Sequence, residues 1–208
     1  MRPLTFALPK GRLLDPTLAR LAGLGISIPE GPARQLCFSS VDGSIEFLLA
    51  KPADVPTYVA LGAADLGAVG TDVLMEGDWD VLRPLALGFG RCRIVVAART
   101  DDSAATETQP RRVATKYPRI AERYFAEQRL QVDLITLRGS VELAPLVGLS
   151  DWIVDLVETG ATLKANGLVP IAEVASTEAQ LIVNRATHKI RRREVQDLIA
   201  ALEAVATC

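Results

Sequence analysis

Histidine is almost missing from this sequence. Among 208 residues there is one, His188, in a polar run near the C-terminus. That scarcity argues against serine–histidine catalysis and histidine-rich metal sites. Cysteine is nearly as sparse: Cys37, Cys92 and Cys208 are isolated from each other and odd in number, so neither a disulfide framework nor a zinc site is indicated. No apolar run approaches the length of a membrane span. The stretch Met1-Arg2-Pro3-Leu4-Thr5 lacks a signal peptide's apolar core, so no membrane association and a cytoplasmic location are expected. The formal net charge of −2 gives no general electrostatic grip on nucleic acid or on an anionic membrane. Carboxylates, arginines, lysines, hydroxyls and backbone groups remain to carry any chemistry.

What is present is the composition of a folded domain, 49% apolar and 23% charged. Short apolar runs alternate with helical patterns. Strands are expected at Thr5–Leu8, Ile45–Ala50, Asp65–Val69 and Arg93–Ala98, with helices at Leu13–Leu24 and Val55–Leu61. After a polar segment, Thr100–Pro110, read as an exposed loop, a second set follows. Its strands are Arg112–Thr115, Val132–Leu137, Trp152–Val157 and Val169–Val174, and its helices Arg119–Gln128, Val141–Val147 and Thr162–Asn166. Glu194–Val205 carries an apolar stripe on a final helix. Such alternation predicts an α/β protein of mainly parallel sheets flanked by helices, in two lobes with a cleft between them. One lobe takes residues 1–91 plus 180–208, the other 92–179.

The richest segment is DLVETGATLKANG, Asp155–Gly167, after the apolar run Trp152-Ile153-Val154. A strand ends in carboxylates, turns at Gly160, and resumes as a helix behind Thr159 and Thr162. That order suits a phosphate cradle, with Asp155 and Glu158 available to hydroxyls. An ordinary strand-to-helix turn capped by Thr159 suits it equally. Leu8-Pro9-Lys10-Gly11-Arg12-Leu13 places two cations around a glycine at another strand end, either an anion site or a solvated turn. Lys51-Pro52-Ala53-Asp54-Val55-Pro56 reads as a strand exit with Asp54 as helix cap. Gly62–Asp72 is glycine-rich but does not match a dinucleotide fingerprint, and Asp72 reads first as a cap. Glu142 falls in the first turn of a short helix, where the dipole favours a carboxylate. Lys189-Ile190-Arg191-Arg192-Arg193 lacks interleaved aromatics and reads as a solvated helix entrance rather than a nucleic-acid patch.

Five blocks together resemble the ATP phosphoribosyltransferase family, which opens histidine biosynthesis. They are LPKGRL (Leu8–Leu13), KPADVPTYV (Lys51–Val59), GAADLGAVGTDVL (Gly62–Leu74), RVATKYP (Arg112–Pro118) and the run from Gly139 to Leu168, in family order. The resemblance implies a two-lobed fold like type II periplasmic binding proteins, with the active site in the interlobe cleft. It also implies transfer of the phosphoribosyl group of 5-phosphoribosyl 1-pyrophosphate to N1 of ATP. Because the chain stops near Cys208, it looks like the short form, without a C-terminal regulatory domain. Short-form subunits work with a histidyl-tRNA-synthetase-like regulatory subunit, as a homodimer within a hetero-octamer.

Carried over by position, the resemblance places the 5-phosphate on Thr159, Gly160, Ala161, Thr162 and Leu163, and the ribose hydroxyls on Asp155 and Glu158. Arg12 and Arg34 face the pyrophosphate and serve as the catalytic cations. Lys10, Gly11, Lys51, Asp72 and Glu142 position substrates; Lys51 stands where many relatives carry arginine, a point charge in place of a fork. Mg2+ is expected to arrive on the substrate phosphates, with no protein metal cage. A non-enzymatic two-lobed module binding a phosphorylated small molecule is the alternative that fold alone leaves open.

Overall fold

The computed structural model describes residues 2–29, 35–100 and 110–206. Arg34 and most of the segment read as an exposed loop lie outside them. Among the described residues the strands are β1 (Leu4–Pro9), β2 (Cys37–Ser39), β3 (Ile45–Ala50), β4 (Leu66–Gly70), β5 (Val81–Ala86), β6 (Cys92–Arg99), β7 (Arg111–Thr115), β8 (Val132–Thr136), β9 (Trp152–Val157), β10 (Leu168–Thr177) and β11 (Ala179–Asn184). The helices are α1 (Leu14–Ala22), α2 (Val55–Ala60), α3 (Thr71–Glu76), α4 (Pro118–Glu127), α5 (Leu143–Leu146), α6 (Ala161–Ala165), α7 (Arg185–Ile190) and α8 (Arg192–Ala206). They divide into two compact units, Met1–Gly90 with Glu178–Cys208, and Arg91–Thr177.

The first unit is built on a sheet of order β2-β3-β1-β4-β11-β5. Its central strands are buried on both faces, which is why they read as continuous apolar runs. On one face Phe6, Leu8, Leu66 and Leu181 pack with Leu21 of α1 and with Val195, Leu198 and Leu202 of α8. On the other, Ala7, Val69 and Ile182 meet Val55 and Val59 of α2. The second unit has the order β10-β6-β9-β7-β8. Val95, Ala114 and Ile153 pack there with Val141, Ala144 and Leu163, and Phe125 of α4 stacks on Trp152 with ring centroids 6.1 Å apart.

Both sheets are mixed, which corrects the expectation of mainly parallel ones. β3, β1 and β4 run parallel, as do β8, β7 and β9. β2, β11 and β5 are antiparallel to their neighbours, and so are β6 and β10. Strand–helix alternation predicts the parallel cores; β2 folds back on the next strand, β3, whereas the antiparallel pairs β4–β11, β5–β11, β6–β9 and β6–β10 come from long-range pairings that no local pattern encodes. β11 is an apolar run that the sequence reading passed over, and β5 contains Pro84, which an edge strand tolerates where the register slips opposite Ile182. β2, of three residues, is too short to carry a periodic pattern, and α3 and α7 are further elements outside the expected alternation.

The basic run near the C-terminus is more than a solvated entrance. Arg191 donates from Nη2 to Arg2 O at 2.9 Å and from Nε to Glu194 Oε1 at 3.1 Å, and its Nη1 lies 3.7 Å from Asp65 Oδ2. Asp65 is sealed from solvent and also accepts from Arg2 Nη2 at 2.9 Å, from the Thr5 backbone N–H at 2.9 Å and from Thr187 Oγ1 at 2.8 Å. The Arg191 hydrogen bond holds the Glu194 carboxyl below the ordinary carboxylate range, and the same bond raises the guanidinium. At the start of β9, burial pushes the Asp151 carboxyl up, but hydrogen bonds from the backbone and guanidinium of Arg112 outweigh it and hold the group below its usual value.

Candidate active site

In each sheet the chain moves from a central strand to one side and then crosses to the other, first around β1 and again around β7. Crevices at the carboxyl ends of strands beside such reversals are where open α/β sheets bind ligands. The sequence-predicted residues other than Arg34, which lies outside the described residues, fall at these two edges.

At the first edge, the parallel register Pro9↔Ala50 sets Lys10 and Lys51 side by side just beyond β1 and β3, and the Lys10 backbone N–H donates to Ala50 O at 2.8 Å. Both side chains are exposed, as is Arg12, whose Nη1 donates to Gly90 O at 3.3 Å. Gly11 turns the chain between them at φ 88°. Three cations therefore converge on one sheet edge, and the anion-site reading of the KGR block gains a neighbour the sequence placed forty residues away. Asp54 occupies the cap position of α2 but makes no side-chain cap hydrogen bond.

Asp72 is not a cap. Gly70 holds the cap position of α3 without a side-chain bond, and Asp72 is buried in the first turn. A Cβ at Gly70 would sit 2.0 Å from Asp72 Oδ1, so glycine is required for the carboxylate to fold back over the end of β4. Thr71 ties the same edge to the returning chain, its backbone N–H donating to Glu178 O at 2.9 Å and its Oγ1 accepting from the Glu178 N–H at 2.9 Å.

The second edge carries different chemistry. β9 runs out through Asp155 into Glu158 and Thr159, and Gly160 takes φ 80°, a left-handed conformation that a side chain resists. Gly160, not Thr159, holds the cap position of α6; Thr159 Oγ1 instead accepts from the Ala161 N–H at 3.3 Å. Thr159, Ala161 and Thr162 are exposed, whereas the Leu163 side chain is buried in the core, leaving only its backbone for a ligand. Glu158 is exposed and Asp155 is buried, so the two carboxylates are not equivalent. Glu142 sits at the cap position of α5, in the connection leaving β8, without a side-chain cap bond.

Sequence reasoning missed Lys116. The register Thr115↔Val154 puts it directly across from Asp155, and its Nζ lies 3.1 Å from Asp155 Oδ1. The signal was available, because Lys116 follows a strand as Lys10 does; what was lacking was the knowledge that β7 and β9 are neighbours.

Two mixed sheets, each with a parallel core and a strand-order reversal, define the class. Over 99% of this chain and 73% of the other, the structure matches the periplasmic aliphatic sulphonate binding protein SsuA from Escherichia coli with a TM-score of 0.65 at 14% identity. The fold is that of the type II periplasmic binding proteins. Sequence takes the assignment further. A family model described as ATP phosphoribosyltransferase matches residues 51–204. The chain is 48% identical to the ATP phosphoribosyltransferase of Syntrophotalea carbinolica, across 97% of this chain and 94% of that one. A solved ATP phosphoribosyl transferase (HisG:HisZ) complex from Thermotoga maritima superimposes with a TM-score of 0.85 at 34% identity, over 98% of both chains. The chain belongs to the ATP phosphoribosyltransferase family.

Proposed function

We propose the following division of labour for the phosphoribosyl transfer to ATP that membership of this family assigns to the chain. The loop Thr159–Leu163 holds the 5-phosphate of 5-phosphoribosyl 1-pyrophosphate through hydroxyls and backbone N–H groups. Asp155 accepts hydrogen bonds from the ribose, with Glu158 at its flank. Arg12, together with Arg34, neutralises the departing pyrophosphate. Lys10, Lys51, Asp72 and Glu142 orient the substrates. The observation that carries this reading is the exit of β9, where a partly covered carboxylate, a left-handed glycine and exposed threonines follow each other at a strand-order reversal.

The chemistry suits a protein with one histidine. Adenine N1 already presents a lone pair, so no base is needed to create the nucleophile, and the proton leaves the exocyclic amine after the new bond forms. Departure of pyrophosphate builds oxocarbenium character at the ribose. Catalysis then consists of holding two substrates in line and placing cations where negative charge grows. Mg2+ travels with the substrate phosphates. At the two edges carboxylates stand among hydroxyls, lysines and an arginine, a set suited to the phosphates and hydroxyls of the substrates.

A partner is part of the proposal. The Thermotoga maritima structure is a complex of HisG with HisZ, which supports a HisZ-like regulatory partner here; the family resemblance adds that this partner is a histidyl-tRNA-synthetase-like subunit conferring histidine feedback within a hetero-octamer. No helix among the described residues is long and apolar enough to cross a membrane. The test is direct. ATP, 5-phosphoribosyl 1-pyrophosphate and Mg2+ are mixed with the protein and a pyrophosphatase, with and without the regulatory subunit and histidine. Chromatography then shows the phosphoribosylated nucleotide; no product under any condition sinks the reading.

A further inference from the structure

We infer that Lys116 is a positioning residue, which aims the Asp155 carboxylate at the ribose hydroxyls of the donor. The inference rests on the proposed role of Asp155 and goes beyond it by naming what orients that carboxylate. Two donors converge on one oxygen: Lys116 Nζ lies 3.1 Å from Asp155 Oδ1, and the Leu156 backbone N–H donates to the same Oδ1 at 2.7 Å. Oδ2 has no partner among the described residues. Nor is it sealed from water, since the one buried side-chain polar atom without a partner among those residues is Ser150 Oγ. A carboxylate pinned through one oxygen presents the other to a ligand.

The lysine is itself held. Thr115 Oγ1 donates to Val154 O at 2.7 Å, tying the end of β7 to β9, and accepts from the Tyr117 N–H at 2.9 Å, which fixes the turn of the chain around Lys116. Its Nζ rides 5.0 Å from the centre of the buried Tyr117 ring. A stability role explains little of this. With 38% of the lysine side chain but 12% of the Asp155 side chain exposed, the pair lies between a surface and a buried ion pair, and a contribution to folding does not require both donors to meet the same oxygen. Positioning accounts for the one-sided geometry, and the effect belongs to ligand selection.

Three probes read it: ribose 5-phosphate, 2-deoxyribose 5-phosphate and 3-deoxyribose 5-phosphate, with affinities measured by calorimetry on the whole chain. The parent is expected to prefer ribose 5-phosphate over at least one deoxy sugar by roughly ten- to a hundredfold, the value of a hydrogen bond to a charged group. Lys116→Met should collapse that preference to about twofold or less while retaining affinity for the less favoured sugar, and Lys116→Arg should restore most of it. Lys116→Gln carries the same test if the methionine variant fails to fold. Asp155→Asn separates the two ideas. If it leaves the preference intact, the ribose role of Asp155 fails. If it abolishes the preference but Lys116→Met does not, the ribose role stands and the positioning role is overturned. Equal loss of all three sugars in Lys116→Met also overturns it, because the lysine would then be reading the shared phosphate.

Discussion

Asp65 and Asp155 begin from the same circumstances and end in opposite ones. Each is a carboxylate next to or within a buried parallel strand, and each faces a cation from another segment. Asp65, at the amino end of β4, is surrounded: Arg2, the Thr5 N–H and Thr187 all donate to it, and Arg191 stands close by. Asp155, near the carboxyl end of β9, has both of its described donors on one oxygen. A saturated carboxylate has no capacity left for a ligand and works as a joint, here between β1, β4, α7 and α8. A half-satisfied one, open to water at a strand-order reversal, can exchange solvent for substrate. Saturation, more than burial or charge, separates the structural acid from the functional one.

The largest effect expected from this contrast is on stability. Asp65→Ala leaves two arginines without their buried partner and should cost about 3–5 kcal/mol in urea unfolding, with kcat/KM of the folded protein unchanged. A loss below about 1 kcal/mol would show that the joint is dispensable. Arg12→Ala should leave stability alone and lower turnover by on the order of a hundredfold, as removal of a leaving-group cation does. Near-normal turnover, with chemistry shown to be rate-limiting, would remove that role. Asp155→Asn should weaken ribosyl-donor binding about tenfold or more, while the unfolding free energy moves by about 1 kcal/mol or less. The reverse pattern would make Asp155 a second joint and dissolve the comparison.

Two smaller effects sharpen it. Gly160→Ala meets only Val157 Cγ1 at 3.8 Å, so there is room for the methyl group, but φ of 80° penalises it. About 1–2 kcal/mol should be lost from donor binding, from stability, or divided between them. Unchanged affinity and stability together would mean that the loop reaches its shape without the left-handed residue. The smallest effect is on acid stability. The folded Glu194 carboxyl is held below its ordinary value near 4.5, chiefly by the Arg191 hydrogen bond. Its contribution is therefore fully present well above pH 4.5 and is lost as the pH falls through the depressed folded value. Urea titrations of Glu194→Gln and the parent should differ at neutral pH and converge in acid; a constant gap would refute the linkage.

Much of the fold could be read locally. β3 and β9 occupy the expected spans, Ile45–Ala50 and Trp152–Val157, because apolar residues dominate both, interrupted by Glu46 and Asp155 alone. Helices such as α4 and α8 announced themselves by periodicity. The antiparallel strands β2, β5 and β11 stayed hidden: β2 has three residues, β5 contains a proline, and β5 and β11 are defined by partners distant in the chain. The site divides in the same way. Gly160, Thr159 and Asp155 are legible as one segment, since a strand, a tight turn and a helix start are consecutive in sequence. The meeting of Lys10 with Lys51 and of Lys116 with Asp155 is not.

The sequence alone therefore determined the chemistry available, that of cations, carboxylates, hydroxyls and a glycine turn beside a single histidine, and it carried the family resemblance in contiguous blocks. Only the tertiary structure decided which of these groups stand opposite one another. Register between parallel strands is set by the packing of both sheet faces over tens of residues. That packing put a lysine on one oxygen of Asp155 and left the other open, and it closed every side of Asp65.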